Sequence, residues 1–157
     1  MKEERGDALL VFCVLSWVYI GFNFLLVMFS FMQGQSSPEE IEMARIAMLE
    51  GQDLEVINMM GWLFEEFTNY MVITNDNFYL INIVTLMNLI IGFIGVFLMF
   101  RLTKMGFYLY LAYSIIPLLL ITYFYQGMTI GTVMLMFTGI IGLIFSLMYG
   151  SQLKRMS

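Results

Sequence analysis

Three polar side chains recur three residues apart inside an apolar part of the chain. Asn82, Thr85 and Asn88 lie within residues 78–100, which contain no charged residue. In a helix this spacing brings them to neighbouring positions on one side. Amide and hydroxyl groups placed in this way can line a path for a neutral or weakly polar solute, and they can equally form hydrogen bonds between helices in a bilayer. We favour helix packing, and the solute path stays open as an alternative.

Acidic side chains are concentrated in a different part of the chain. Nine of the twelve Asp and Glu residues lie in residues 33–77, where Arg45 is the one basic residue, so nine negative charges and one positive charge give a net charge of −8. Glu55, Glu65 and Glu66 belong to this set. We predict that these three form a surface that binds a protein partner.

The residue types that most enzymes need are missing. The chain has no histidine, which excludes imidazole as a base or metal ligand, and its one cysteine, Cys13, cannot form an intramolecular disulfide. Glu65, Glu66 and Asp76 offer oxygen ligands to a hard cation but lack a metal-binding spacing. There is no phosphate-binding loop, nucleophile elbow, metalloprotease motif or basic patch. We therefore predict no catalytic residue, no cofactor, no metal site and no nucleic-acid partner.

The composition predicts an integral membrane protein. Hydrophobic residues make up 61% of the chain and charged residues 12%, about half the charged fraction of an average soluble domain. A span needs about 20 apolar residues, and four runs are long enough, at about 8–32, 78–100, 107–125 and 128–150. The predicted fold is all-α, a four-helix membrane bundle that forms a single domain over residues 1–157.

The positive charges predict how the spans are connected and oriented. Arg101 and Lys104 at the centre of one long helix would each cost about 2.5–3.5 kcal/mol at mid-bilayer, so we predict a turn there with Gly106 as its flexible corner. Six of the seven Lys and Arg residues then lie on one side, namely Lys2, Arg5, Arg101, Lys104, Lys154 and Arg155. The positive-inside rule therefore places both termini in the cytoplasm.

Residues 33–77, on the other side, are predicted to form two short amphipathic helices. The sequence Ser37-Pro38-Glu39-Glu40 is typical of a capping box with proline in the first turn, and Gly51 is a helix stop. Asp53 is placed to cap the second helix, in which apolar residues recur every three or four positions. Whether this pair covers the bundle or lies in the membrane interface stays open.

Small residues mark a packing seam on the last span. Gly142, Ser146 and Gly150 are four residues apart, a pattern that allows close contact between membrane helices. The contact can be with another span, a second copy or another protein, and we favour another span of the same chain.

Two segments carry a resemblance to known proteins. The segments LMFRLTKMGFYLYLAYSI (98–115) and FSLMYGSQLKRM (145–156) resemble a group of small bacterial inner-membrane proteins. Members of that group have four predicted spans, a helical loop after the first span and no assigned activity. The resemblance implies the same layout for this chain and a location in the bacterial inner membrane, and it carries over no catalytic residue.

The prediction that follows is a non-enzymatic membrane protein that acts through protein contacts, as an accessory subunit of a larger membrane complex. Its partners would be the lipid bilayer and either another membrane protein or a second copy. The alternative is a small oligomeric carrier or channel for a neutral or weakly polar solute. Proton-coupled carriers usually keep an ionisable group at membrane depth, and the four apolar runs contain no Asp, Glu, Lys or Arg.

Overall fold

A computed structural model describes residues 7–156, without the side chains of Asp7, Val56 and Arg155. Over that range the chain forms six α-helices and a short 3-10 helix, which confirms the all-α prediction. The elements are α1 (Asp7–Gln33), α2 (Pro38–Leu49), α3 (Leu54–Asp76), α4 (Phe78–Phe100), α5 (Lys104–Phe124), α6 (Thr129–Gly150) and the 3-10 helix Leu153–Arg155. Lys2 and Arg5, which enter the orientation count, lie outside the described residues, as does the Arg155 side chain.

In this part of the chain, four helices are long and apolar enough to cross a membrane. They are α1, α4, α5 and α6, with apolar lengths of 21 to 26 residues and mean hydropathy between 1.8 and 2.5. At about 1.5 Å per residue each is about 31–39 Å long, enough for a hydrocarbon core of about 30 Å. The third of them begins at Lys104, three residues before the predicted position.

The turn between α4 and α5 is shorter than predicted. It consists of residues 101–103, and Leu102 has a φ of 62°, in the left-handed region that is uncommon for residues other than glycine. Thr103 closes the end of α4, because its backbone N–H and its hydroxyl donate to the Leu98 carbonyl at 3.0 and 2.9 Å. Gly106 lies in the first turn of α5. The prediction of Gly106 as the corner was wrong, and Leu102 makes the corner instead.

The four long helices pack in the order α1, α4, α5, α6. The closest association is that of α4 with α5, and α1 meets α6 over a short stretch that includes Ser16 and Tyr149. The buried residues between them are mainly apolar and aromatic, and include Leu9, Cys13, Ile20, Leu89, Val96, Met99, Tyr110, Tyr113 and Tyr149. The outer sides of the same helices expose large apolar side chains, as lipid-facing surfaces do.

Glycines let α4 and α5 approach each other closely. A Cβ added at Gly106 would lie 2.5 Å from the Gly95 carbonyl oxygen and would also overlap the Met99 backbone nitrogen. A Cβ at Gly92 would lie 2.6 Å from the ring of Tyr113. Because these contacts include backbone atoms, a larger residue cannot be accommodated at Gly106 without moving one of the helices.

The segment between α1 and α4 contains α2 and α3. The capping box of α2 is present, with the Glu40 N–H donating to the Ser37 hydroxyl at 3.2 Å and the Ser37 N–H donating to the Glu40 carboxylate at 2.7 Å. Gly51, with a φ of 82°, follows the end of α2. Asp53 occupies the N-cap position of α3, but its side chain makes no capping hydrogen bond. With 23 residues, α3 is as long as α4, so the description of both helices as short fits only α2.

Candidate functional site

One carboxylate of α3 binds the N-terminus of α6. Glu66 accepts hydrogen bonds of 3.0 Å from the backbone N–H of Thr129 and 3.0 Å from that of Ile130. The first N–H groups of a helix have no partner within the helix and carry partial positive charge. These two hydrogen bonds favour the ionised carboxylate, so the pKa of Glu66 lies below its ordinary value. An ionised side chain thus attaches α3 to the end of α6.

The next turns of α3 contact the end of α5. The hydroxyls of Thr74 and Tyr125 share a hydrogen bond of 2.8 Å, and the rings of Tyr70 and Tyr125 have centroids 4.9 Å apart. Tyr125 immediately follows α5. Since Glu66, Tyr70 and Thr74 are four residues apart, a single stripe of α3 meets the adjacent ends of α5 and α6.

A third set of contacts joins α3 to the linker after α1. The side-chain amide of Asn75 accepts from the Ser36 N–H at 2.8 Å and donates to the Ser36 carbonyl at 3.0 Å. The Gln35 side chain donates to the Asn75 carbonyl at 2.9 Å. The C-terminal half of α3 is therefore fixed to three separate parts of the chain.

The N-terminal half of α3 exposes apolar side chains next to acidic ones. Leu54 is 79% exposed and Met59 is 70% exposed, and more than half of Trp62 is exposed. Glu55 and Glu65 are exposed on the same part of the helix. We call this set, Leu54, Glu55, Met59, Trp62 and Glu65, the hairpin surface, because α2 packs against α3.

The three acids predicted to bind a partner have different positions. Glu55 lies in the first turn of α3 and is exposed. Glu65 lies at the edge of a cleft between α2 and α3, which Arg45 also lines. The Glu66 carboxylate is hydrogen-bonded to the N-terminus of α6 within the chain. The candidate partner surface accordingly contains Glu55 and Glu65, with Glu66 holding the helix that presents them.

Of the three polar residues predicted to share one side of a span (Asn82, Thr85 and Asn88, the polar stripe), Asn88 has a specific role. Its side-chain N–H donates to the carbonyl oxygen of Tyr113 on α5 at 3.1 Å. In an unbroken helix that carbonyl would accept from the residue four positions later, which here is Pro117 and has no N–H. Asn88 therefore replaces the hydrogen bond that Pro117 removes. Its side-chain oxygen is buried without a hydrogen-bond partner among the described residues.

The other two members of the stripe are placed differently. Asn82 donates to the Phe78 carbonyl of its own helix at 2.9 Å, and Thr85 is half-buried. The three side chains therefore do not share one set of contacts.

The predicted seam on α6 faces α5 at its two glycines. A Cβ added at Gly142 would lie 3.4 Å from the Ser114 Cβ, and one at Gly150 would lie 3.8 Å from the Phe107 ring. Ser146, between them, is half-buried. These separations are ordinary packing distances and are larger than those at Gly106, so the tightest glycine contacts between two of the long helices are those of α4 with α5.

The sequence did not predict a cavity of about 180 Å³ between α1, α5 and α6. Its lining is rich in hydroxyl and aromatic groups, and consists of Ser16, Tyr19, Tyr110, Tyr113, Ser114, Pro117, Phe137, Thr138, Ile141, Gly142 and Phe145. None of Asn82, Thr85 and Asn88 belongs to this lining. The hydroxyl residues are visible in the sequence, but their meeting depends on three helices that are distant along the chain.

Within residues 7–156, no three His, Cys, Asp or Glu side chains come together in a way that could hold a metal ion. Comparison with known proteins found no matching protein family, no matching curated protein and no matching solved structure. The resemblance of residues 98–115 and 145–156 to small four-span proteins stays a prediction. The case for a function depends on the geometry of the hairpin surface and of the cavity.

Proposed function

We propose that the chain is a non-enzymatic membrane protein that acts through protein contacts, as an accessory subunit of a larger complex in the bacterial inner membrane. In this proposal α1, α4, α5 and α6 span the bilayer as a bundle with both termini in the cytoplasm. The α2–α3 hairpin lies on the opposite side. The distribution of Lys and Arg, six on one side and Arg45 on the other, supports this orientation.

The observation that carries the proposal is that the hairpin surface is firmly positioned but uncovered. Glu66, Thr74 and Asn75 attach α3 to the rest of the chain through hydrogen bonds. The same helix leaves Leu54 and Met59 largely exposed. Exposed apolar side chains on a helix that is held in place are typical of a binding site. Their burial against a partner is favourable, and little conformational entropy is lost on binding because the helix is already ordered.

The charge of the hairpin favours a protein partner over a lipid surface. Helices that bind the membrane interface usually carry Lys and Arg on their polar face, whereas Glu55 and Glu65 flank the apolar side chains here. An acidic helix would be repelled by anionic headgroups. The surface instead matches a membrane protein that offers an apolar patch with Lys or Arg around it.

Photo-crosslinking tests the proposal. A photoreactive residue is placed at Met59, and a second one is placed as a control at Leu143, an exposed apolar position on α6. We expect the probe at Met59 to crosslink to one polypeptide of defined mass, through a segment that contains Lys or Arg. The probe at Leu143 should give mainly lipid adducts.

Charge variants decide whether that crosslink reports the proposed contact. Changing Glu55→Lys together with Glu65→Lys should reduce the crosslink strongly, because both substitutions oppose a basic partner. Lys154→Glu, at the far end of the chain, should leave it unchanged. Lipid adducts alone at Met59, or a protein adduct that is insensitive to the Glu55→Lys and Glu65→Lys changes, would contradict the proposal.

The alternative function, an oligomeric carrier with Asn82, Thr85 and Asn88 along its path, has weaker support. The amide N–H of Asn88 is already used by the Tyr113 carbonyl, and Asn82 is bonded to its own helix. The Asn88 contact joins α4 to α5, and the Asn82 contact lies within α4, so both amides already have partners inside the chain.

A further inference from the structure

The cavity between α1, α5 and α6 has a polar, buried floor. Ser16 is 2% exposed, Tyr110 is 5% exposed and Tyr113 is 8% exposed. The Ser16 hydroxyl shares a hydrogen bond of 2.9 Å with the hydroxyl of Tyr149, which fixes its position. The hydrogen bond that Tyr113 makes in the described structure uses its backbone carbonyl, which leaves the phenol hydroxyl able to donate to a ligand.

The rim of the same cavity is exposed and largely apolar. Phe137 on α6 is 67% exposed and Tyr19 on α1 is 54% exposed, and both line the cavity. The contact between α1 and α6 is short and includes Ser16 and Tyr149. The cavity therefore opens sideways between α1 and α6, toward the surface that lipid would cover.

The floor lies near the middle of the spans. Ser16 is nine residues from the start of α1 and Tyr113 is nine residues from the start of α5, or about 14 Å along each helix. Half of a hydrocarbon core of about 30 Å is a similar distance. A molecule that reaches this floor by the lateral opening must come from the lipid phase.

Size and chemistry narrow the class of that molecule. The volume is about 180 Å³, and an apolar cavity of about 150 Å³ is known to hold one benzene molecule. Aromatic walls favour a flat ring. The described residues that line the cavity carry no charged side chain, so a charged ligand would be left uncompensated at this depth. A plain acyl chain would offer no acceptor to the buried Tyr113 hydroxyl, which is unfavourable.

We propose that this cavity binds the ring of a neutral, lipid-soluble molecule that carries hydrogen-bond acceptor oxygens, the chemistry of a benzoquinone headgroup. The ring lies on Ser16, Tyr110 and Tyr113, and the apolar tail leaves between α1 and α6. This site is separate from the hairpin surface, and neither one depends on the other.

Binding of a short-chain quinone tests the proposal. The purified protein in quinone-free lipid nanodiscs is titrated with decylubiquinone, and the amount bound per protein is measured after gel filtration. We expect saturation near one quinone per protein. Tyr113→Phe removes a hydroxyl and keeps the ring against Gly92, and it should weaken binding by about fivefold, the effect of one hydrogen bond. Thr138→Phe fills the cavity and should abolish saturable binding.

Matched controls separate the site from general partition into the lipid. Tyr123→Phe is on the same helix as Tyr113, and Thr132→Phe is on the same helix as Thr138; both residues are exposed and outside the lining. Neither change should alter binding, and the melting temperature of each variant shows that it is folded. The absence of saturable binding, full binding by Thr138→Phe, or equal competition by a ringless alcohol such as dodecanol would overturn the proposal.

Discussion

The side-chain amide of Asn88 donates a hydrogen bond of 3.1 Å to the carbonyl oxygen of Tyr113. Pro117 leaves this carbonyl without its helical partner, because proline has no N–H. An asparagine on α4 and a proline on α5 are therefore matched across the tightest helix pair. The buried side-chain N–H of Asn88 and the carbonyl that Pro117 leaves free, each unfavourable alone in apolar surroundings, satisfy each other.

The first prediction is that Asn88 and Pro117 are energetically coupled. Asn88→Leu should lower the free energy of unfolding by about 1–3 kcal/mol, because the Tyr113 carbonyl loses its donor. In a Pro117→Ala background residue 117 regains its N–H and can itself donate to the Tyr113 carbonyl. Asn88→Leu should therefore cost less in that background than in the unmodified protein, by about 1 kcal/mol. The measurement is a double-mutant cycle of unfolding in detergent. Asn82→Leu serves as the control, because the Asn82 amide bonds its own helix. Equal costs of Asn88→Leu with and without Pro117→Ala would contradict the coupling.

The second prediction ranks the glycines. Gly106→Ala should destabilise by about 1–3 kcal/mol through overpacking, since the new Cβ meets backbone atoms of α4. Gly150→Ala should be tolerated, because its nearest neighbour is a ring at 3.8 Å. Gly21→Ala, with nothing within 4 Å, should be neutral or stabilising by about 0.5–1 kcal/mol, owing to helix propensity. Melting temperatures in one detergent test this order, and a larger effect at Gly150 than at Gly106 would refute it.

The third prediction concerns Glu66 and pH. Because its pKa is lowered in the folded chain, the stabilising contact is complete above the ordinary value of 4.5 and is lost as the pH falls through the lowered value. Glu66→Gln should loosen α3 at neutral pH, seen as faster hydrogen exchange in residues 54–76, and should remove the further loosening on acidification.

Glu65→Gln is the matched control for this prediction, because Glu65 is adjacent in sequence and lines the cleft toward α2. It should behave like the unmodified protein across the acid range. If Glu65→Gln loosened α3 as much as Glu66→Gln, the hydrogen bonds to Thr129 and Ile130 would not be what holds the helix.

The element boundaries could be predicted because they depend on local sequence. The run from Phe78 to Phe100 is bounded by Asn77 and by Arg101, and the helix follows those limits. The capping box at Ser37 is likewise a pattern within four residues. The beginning of α5 was missed because Leu102, rather than a glycine, adopts the left-handed conformation, and no local pattern marks a leucine for that role.

The contacts that build the candidate sites could not be predicted in the same way. Glu66 meets the amide of Thr129, 63 positions later, and Ser16 meets Tyr149, 133 positions later. Such pairs depend on the packing order of the helices, which hydrophobic periodicity does not specify. The sequence predicted that Asn88 could form a hydrogen bond between helices. Its partner, the Tyr113 carbonyl that Pro117 leaves free, is apparent only from the packing of α4 against α5.

The orientation of the chain in the membrane is the central claim of the proposed function, and thiol labelling tests it most directly. In a Cys13→Ala background, single cysteines are placed at Gln52, in the exposed link between α2 and α3, and at Lys104, exposed at the start of α5. A membrane-impermeant maleimide added to intact cells should label Gln52→Cys at once, and Lys104→Cys only after the membrane is permeabilised. Labelling of Lys104→Cys from outside, with Gln52→Cys protected, would contradict the account.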